Sequence, residues 1–365
     1  MDLLSVTTSY SSLEKKYNSF KAPTVEITVA GNKLVSSSKM SIRNLCIDLT
    51  SEYEASGCSF SIVNTYEPSK SNFSDKANKI GVGDKVEVAI GYIRTESVFK
   101  GYINSVRYLF NKSGRIGEIC IECMDVKGLM MKNRRMEFFT QKRADGVLNE
   151  ILSASPVSSY VDGKDIDSCD EDEIALRSNM QTDYEIMTEQ ASKIGYEFFV
   201  SQGKVIFRKK EKVTSPIMTM NPGCGIFDLR LDYSAQQLVK KIEVRSVDAE
   251  NGKLIKGEAT LNGTFSKGSG GSKVVGSSKQ VFFEPGLKDA AEAKKRAEAR
   301  IKAVLDTFGS LEITCIGMPE IGPGRFIKLE RIAENINGKY YITSVRHTMG
   351  DGEFLTTFRA RRSSL

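Results

Sequence analysis

Two stretches of the sequence nearly repeat each other: KGYINSVRY at residues 100–108 and KYYITSVRH at residues 339–347. Six of the nine positions are identical. Similar patterns lie upstream, IGVGDKVEV at residues 80–88 and IGPGRFIKL at residues 321–329. Gly81 precedes Ile103 by 22 residues, and Gly322 precedes Ile342 by 20 residues. Two matched blocks in the same order, at nearly the same separation, predict a duplicated structural unit.

Each repeat has the pattern of a strand that follows a tight turn. Glycines can adopt the positive φ angles that such a turn needs. Strict alternation places Ile103, Ser105 and Arg107 on one face and Tyr102, Asn104 and Val106 on the other. The predicted structural residues of the repeated barrel turns and strands are Gly81, Gly83, Gly322, Gly324, Tyr102, Ile103, Val106, Tyr341, Ile342 and Val345. General reuse of strand–turn patterns in β-proteins is the alternative explanation.

The rest of the chain predicts an α+β protein that is mainly β. Several short segments alternate apolar and polar residues between Gly, Asn and Ser turns, which is typical of a half-buried antiparallel sheet or small barrel. We predict two related antiparallel β-barrel domains with an α+β domain between them. The predicted ranges are 1–21 for an extended N-terminal arm, 22–130 for the first β-barrel, 131–215 for the middle domain and 216–365 for the second β-barrel.

Helical signals lie mainly in the middle domain and in one long segment of the second barrel region. Residues 144–152 have helical spacing before Pro156, and Thr182-x-x-Glu185 is a capping box for a helix that ends at Gly195. A hairpin is predicted over residues 198–207. A Gly/Ser-rich loop at 262–280 is predicted to be poorly ordered until a partner covers it, and a helix is predicted over 287–308.

Composition and targeting signals exclude several classes of protein. The chain has 365 residues, 52 Lys and Arg, 46 Asp and Glu, and a formal charge of +6. No dense basic block with interleaved aromatic residues is present, so nucleic-acid binding is not expected. Seven cysteines, an odd number, fit reduced thiols in a protein synthesised in the cytoplasm. The sequence has no apolar run of about 18 residues and no signal-peptide pattern, so direct membrane insertion is not expected.

The sequence also lacks recognisable catalytic chemistry. The chain has one histidine, His347, and its position in the repeat is occupied by Tyr108 in the other copy. Cys120 and Cys123 have metal-like spacing, but an odd separation in a strand points them to opposite faces. The acidic segment 162–173 lacks the pattern of a calcium-binding loop. We therefore expect no catalytic residue, no cofactor and no metal site.

The order of these motifs resembles the baseplate hub family of contractile injection systems. This is the phage late control protein D family, which is similar to the N-terminal hub part of the type VI secretion protein VgrG. The matching features are the helix-and-hairpin block 182–207, the stretch 98–103, the Ala-rich helix 287–308 and the C-terminal run 321–347. The resemblance extends over about residues 20–362.

This resemblance implies a structural role without enzymatic activity. The family's hub is a homotrimer whose duplicated barrels form a pseudo-hexameric ring, which joins a hexameric tail tube protein to a trimeric central spike protein. Because the chain ends at Leu365 without a spike-like repeat, we expect the spike to be a separate polypeptide. Contacts with other baseplate proteins, and incorporation into the tail baseplate of a virion or tail-like particle, are also implied.

Two other functions are compatible with a β-rich chain. A tail-tip peptidoglycan hydrolase would use paired carboxylates, which have no fixed sequence pattern. Peptidoglycan zymography separates the two functions, because a hub alone should clear nothing. A carbohydrate-binding β-module would use exposed aromatic residues, and the absence of Trp argues against it.

Overall fold

A computed structural model describes residues 1–63, 65–67, 72–73, 80–110, 117–136, 138–169, 174–177, 180–261 and 270–362. The N-terminal third contains one helix and the first set of strands. These elements are α1 Tyr10–Lys16, β1 Thr24–Val29, β2 Asn32–Lys33, β3 Ser41–Thr50, β4 Gly57–Val63, β5 Tyr66–Glu67, β6 Asn72–Phe73, β7 Lys85–Gly91, β8 Thr95–Phe110 and β9 Gly117–Met124.

The middle third combines helices with short strands. Its elements are α2 Lys127–Met130, β10 Arg134–Arg135, β11 Phe138–Lys142, α3 Ala144–Ser153, a 3-10 helix Val157–Tyr160, β12 Gly163–Ile166, β13 Ile174–Arg177, β14 Gln181–Thr182, α4 Asp183–Ile194, β15 Tyr196–Ser201 and β16 Lys204–Lys209. The capping box of α4 is formed by Thr182 and Glu185, and Gly195 ends the helix in the left-handed conformation, as predicted.

The C-terminal part returns to strands with one long helix. Its elements are β17 Pro216–Met220, β18 Ile226–Tyr233, β19 Lys241–Val247, β20 Leu254–Thr260, α5 Gly270–Val275, β21 Lys279–Phe283, α6 Ala290–Leu305, β22 Gly309–Ile316, β23 Phe326–Leu329, β24 Gly338–Gly350 and β25 Glu353–Arg362. The predicted helix 287–308 is thus present and shorter at both ends. None of the described helices is long and apolar enough to cross a membrane.

One 13-stranded sheet joins the two predicted barrel regions. Its main path runs β18-β22-β25-β24-β3-β4-β9-β8-β7-β1-β2, and β23 and β17 continue from β24. A single apolar core lies against strands from both regions, including Ile47, Ile103, Ile217 and Ile342. The α+β, mainly β fold class is therefore confirmed, and the two β regions are parts of one curled sheet with a shared core.

The two halves of this sheet have matching strands in the same chain order. We call β1, β3, β4, β7, β8 and β9 the first strand unit, and β17, β18, β22, β23, β24 and β25 the second strand unit. Within each unit the neighbours follow the same order, β3-β4-β9-β8-β7-β1 and β18-β22-β25-β24-β23-β17. The outermost pair differs, because β1 is antiparallel to β7 whereas β17 is parallel to β23.

The predicted extended arm is wrong. Residues Tyr10–Lys16 form helix α1, and the Ser9 side chain caps it by accepting a hydrogen bond from the Ser12 N–H. Leu13 and Tyr17 of this segment are buried in the core. A Ser residue four positions before a buried Leu is a weak helix signal, so packing of the apolar face decides this conformation.

An insertion separates β18 from β22 in the second unit. Strands β19, β20 and β21 form their own three-stranded sheet, and α6 packs on it through Ala293 and Ala297. Part of the predicted range of the second barrel, between β18 and β22, is therefore a separate layer. The predicted loop 262–280 includes 262–269, which lie outside the described residues. Its remainder contains α5 and the start of β21, so a continuous loop is wrong there.

A buried histidine makes the stability of the fold depend on pH. His347 is fully buried in β24, and its Nδ1 lies 2.9 Å from the Thr356 hydroxyl. Burial lowers the pKa of His347 to about 4, against about 6.5 in an unfolded chain. The folded state therefore binds fewer protons than the unfolded state between these values, and stability is lost as the pH falls through this window.

We predict that lowering the pH from 7.5 to 4.5 costs the wild type about 2–3 kcal/mol more stability than it costs His347→Gln. Urea unfolding at both pH values measures the difference, and the variant cancels the contribution of the carboxylates. Tyr108→Gln, at the corresponding site of the first unit, is the matched control and should retain the wild-type pH dependence. Equal pH dependence in the wild type and His347→Gln would contradict the assignment.

Candidate assembly surfaces

The repeated glycines do not all have the same role. Gly83 and Gly324 adopt φ angles of +91° and +81°, in the left-handed region that favours glycine. Gly81 and Gly322 do not adopt positive φ. The Gly81 N–H instead donates to the Asp84 carboxylate at 2.8 Å. The second glycine of each pair is thus the conformationally required one, which the sequence pattern alone did not distinguish.

The two turns make the same hydrogen bonds. In the first unit the Gly83 N–H donates to the Ile103 carbonyl at 2.8 Å, and the Ile103 N–H donates to the Asp84 carbonyl at 2.9 Å. The second unit repeats both bonds at 2.9 and 2.8 Å. Its corresponding residues are Gly324, Arg325 and Ile342. The sequence repeat therefore has a structural counterpart at the level of individual backbone groups.

Both long strands also have a bulge at the same place. The register shifts between Ile103 and Ser105 in β8, and between Ile342 and Ser344 in β24. An extra residue on one strand reverses the alternation beyond it. Ile103 and Val106 consequently both face the core, so the predicted strict alternation is wrong after Asn104.

The side chains before each bulge point toward the middle domain. The Tyr102 ring lies 5.3 Å from the Tyr160 ring, measured between centroids. The Tyr341 hydroxyl donates a hydrogen bond to the Glu197 carboxylate. The equivalent tyrosines of the two units therefore contact different parts of the middle domain.

The middle domain also binds the carbonyl of each left-handed glycine. The Tyr160 hydroxyl donates to the Gly83 carbonyl at 2.7 Å, and the Arg208 guanidinium donates to the Gly324 carbonyl at 2.7 Å. Carbonyl groups inside a protein need a donor because they have left water. Two donors from one domain thus hold both turns.

Arg208 is itself paired in the interior. Its Nε lies 2.6 Å from Glu197 Oε1, and both side chains are almost fully buried. The two residues are opposite each other in the β15–β16 hairpin. Sequence reasoning found this hairpin and missed the pair. Opposite charges at facing hairpin positions were the available signal.

The junction between the two units is a strand ladder between β24 and β3. Ser344 to Met349 pair antiparallel with Thr50 to Leu45. On the core face Val345, Leu45, Ile47 and Leu49 are buried. On the other face the Arg346 guanidinium lies 2.6 Å from the Asp48 carboxylate.

A family model gives the sequence relationship. The model described as the Alg8 N-terminal domain matches residues 19–351. The chain belongs to this family. No significant match to a curated protein was found.

Solved structures similar to this member of the Alg8 N-terminal domain family include several tail proteins. The prophage MuSo2 43 kDa tail protein from Shewanella oneidensis has a TM-score of 0.71 at 13% identity, over 94% of this chain and 99% of that one. The tail protein from Neisseria meningitidis MC58 has a TM-score of 0.69 at 13% identity, over 93% and 97%. The Escherichia coli c3393 protein, described as a type VI secretion component, has a TM-score of 0.59 at 10% identity, over 92% and 76%. These likenesses confirm the predicted resemblance in fold.

The carboxylates around the clefts of this Alg8 N-terminal domain family member are engaged by other groups. A cleft of about 830 Å³ lies beside α4 and α6. Hydrogen bonds from the Thr182 backbone and side chain lower the pKa of Glu185. Burial opposes a lower pKa at Glu189, but hydrogen bonds from Lys193 and Gln181 outweigh it. Carboxyls with a lowered pKa are poor proton donors at neutral pH, whereas a glycosidase needs one as its acid.

The structure also shows where the predicted cysteine pair lies and how a buried glutamate is bonded. Cys123 is buried in the core and Cys120 is half-buried on the opposite face of β9, as predicted. Burial raises the pKa of Glu197, but both of its oxygens are bonded inside the protein. In the part of the chain that the structure describes, no three His, Cys, Asp or Glu side chains are grouped to hold a metal ion.

We predict that Gly324→Ala destabilises the fold by roughly 3 kcal/mol or more. A Cβ there would lie 2.5 Å from the Phe199 ring, in addition to the strain of a positive φ. Gly252 also has positive φ but open space around it, so Gly252→Ala should cost only about 1 kcal/mol. Gly83→Ala, with 3.7 Å to the Tyr160 hydroxyl, should resemble that control. Denaturant unfolding of the three variants measures these costs, and equal losses would contradict the proposed clash.

Proposed function

We propose that the chain is a structural hub of a tail baseplate in a contractile phage tail or tail-like injection machine. Three copies form a homotrimer in which six strand units make a pseudo-hexameric ring. The ring joins the hexameric tail tube protein on one side to a separate trimeric central spike protein on the other. The ring also contacts other baseplate proteins.

The observation that carries this proposal is the duplicated strand unit within one sheet. Two units with the same strand order, turn hydrogen bonds and bulge are quasi-equivalent building blocks. A threefold assembly of such a chain offers six similar surfaces, which suits partners of sixfold and of threefold symmetry. Homo-oligomers usually adopt closed cyclic symmetry, which supports a ring.

A structural role without catalysis is supported by the character of the described sites. The repeated glycines and strand residues, from Gly81 to Val106 and from Gly322 to Val345, act in this proposal as framework residues. The fold is shared with tail proteins over more than nine-tenths of the chain. These features support a structural component that remains part of the assembled tail particle.

We predict a solution mass of about 121 kDa, three times the chain mass of 40.4 kDa. Light scattering across a dilution series measures it, and dissociation on dilution should lead directly from trimer to monomer because an open ring has unpaired edges. A dimer that persists at all concentrations would contradict the threefold arrangement.

We predict that deleting the gene for this chain prevents assembly of tails in the host that produces the particle. The tube and spike should then remain unjoined, because in this proposal the chain provides the symmetry match between them. Electron microscopy counts assembled tails, and expression of the wild-type chain from a plasmid is the control that should restore them. Intact tails in the deletion strain would refute the hub role.

A further inference from the structure

The two strands that correspond to the internal β24–β3 junction do not pair with each other within the described part of a single chain. By strand order, β24 corresponds to β8 and β3 corresponds to β18. Among the described residues, segment 105–110 of β8 pairs with β9 on one side alone, whereas the matching part of β24 pairs with both β25 and β3. Of the strands that the structure describes, β18 is the last of its sheet and pairs with β22 alone. Each chain therefore has two open strand edges, one at segment 105–110 of β8 and one at β18.

We infer that segment 105–110 of β8 pairs antiparallel with β18 of a second copy of the chain, as β24 pairs with β3 within one chain. This inference rests on the proposed ring and specifies its interface. The expected residue pairs are Val106–Tyr233, Arg107–Asp232, Tyr108–Leu231, Leu109–Arg230 and Phe110–Leu229.

The register follows from the strand pairings of the two units. Each unit is traced from its bulged strand across three strand ladders to its last strand. In the first unit the trace runs Ile103, Cys123, Cys58, Ile47, and in the second it runs Ile342, Ala360, Leu311, Leu231. Ile47 and Leu231 thus occupy equivalent positions. Their neighbours Asp48 and Asp232 are equivalent as well.

Charge complementarity supports this register. Arg346 pairs with Asp48 at the internal junction, and the residues equivalent to them are Arg107 and Asp232. Arg107 is exposed and forms no ion pair with any described residue. Asp232 contacts its strand neighbour Arg230 at 2.9 Å, with both side chains largely exposed. The two open edges therefore present opposite charges at the matching position.

Exposed apolar side chains at the two open edges support the same register independently. His347 is 1% exposed at the internal junction, whereas its counterpart Tyr108 is 46% exposed and Phe110 is 57% exposed. On the other edge Tyr233 is 39% exposed, whereas its counterpart Leu49 is buried. Large apolar side chains at open strand edges mark a surface that another chain covers.

The two open edges belong to different strands, so the contact is head to tail. Contacts of this kind produce a ring when the rotation closes. In a trimer the internal β24–β3 junction would alternate with the β8–β18 junction, giving six junctions of one type around the ring. The same backbone ladder would then continue through all three copies.

Cysteine cross-linking of the purified full-length chain tests the interface. Residues that lie opposite each other in an antiparallel pair have Cα atoms about 4.5–5.5 Å apart, within the range that a disulfide spans. Arg107→Cys combined with Asp232→Cys should therefore cross-link under mild oxidation. Non-reducing gels should show dimers and trimers and nothing larger. Arg107→Cys with Asp228→Cys is the matched control, because Asp228 lies about 13 Å further along the strand.

The outcomes separate the interface from the proposed function. A trimer by light scattering that forms no cross-link with Arg107→Cys and Asp232→Cys would overturn this interface and leave the hub proposal intact. A chain that remains monomeric at high concentration would overturn both. Cross-linked species larger than trimers would show an open filament and contradict ring closure. The oxidised wild type, whose seven cysteines are buried or half-buried, should show no cross-link.

A charge exchange tests the same pair without covalent bonds. Arg107→Asp or Asp232→Arg alone should raise the concentration at which the trimer dissociates roughly tenfold, because each ring has three such pairs. The combination of both substitutions should return it toward the wild-type value. Glu298→Lys, on the exposed face of α6, is the control and should leave it unchanged. Failure of the combined variant to recover would contradict the pairing.

Discussion

The backbone ladder between β3 and β24 is the interaction on which the rest of the structure depends. It joins two units that have the same strand order, and it gives them a common apolar core. Backbone N–H and C=O groups must be paired or solvated, so a shared ladder fixes the position of one unit against the other in steps of a strand residue. The burial of His347 and the pairing of Arg346 with Asp48 both follow from that register.

The middle domain strengthens this arrangement through a different type of contact. Each left-handed glycine accepts a hydrogen bond at its carbonyl, and one domain supplies both donors, Tyr160 and Arg208. The two donors differ in the free energy that their burial costs. A tyrosine hydroxyl is neutral, whereas a buried guanidinium requires a counterion, which Glu197 provides. The glycine turns therefore connect the middle domain to both units at once.

Local patterns in the sequence predicted local structure well. The capping box of α4, the hairpin of β15 and β16, and the two glycine turns each depend on residues close together in the chain. The bulge after Ile103, the helix α1 and the layer formed by β19, β20 and β21 were missed. A bulge has no fixed residue signature, and the strands of an inserted layer have the same alternation as barrel strands. The pairing of Arg208 with Glu197 required the register of a hairpin, which alternation alone does not define.

At corresponding positions of the two units, the residue types differ according to what covers the side chain. Where β24 lies against β3, the core face carries His347 and Met349, which are compact or flexible enough to fit an interior that the chain itself completes. The corresponding residues of β8 are Tyr108 and Phe110, which are large and aromatic. Aromatic residues are enriched where separate chains meet, because they contribute much contact area for little lost side-chain freedom. In the proposed ring, β24 thus suits a permanent internal junction, and β8 suits a surface that a second chain covers.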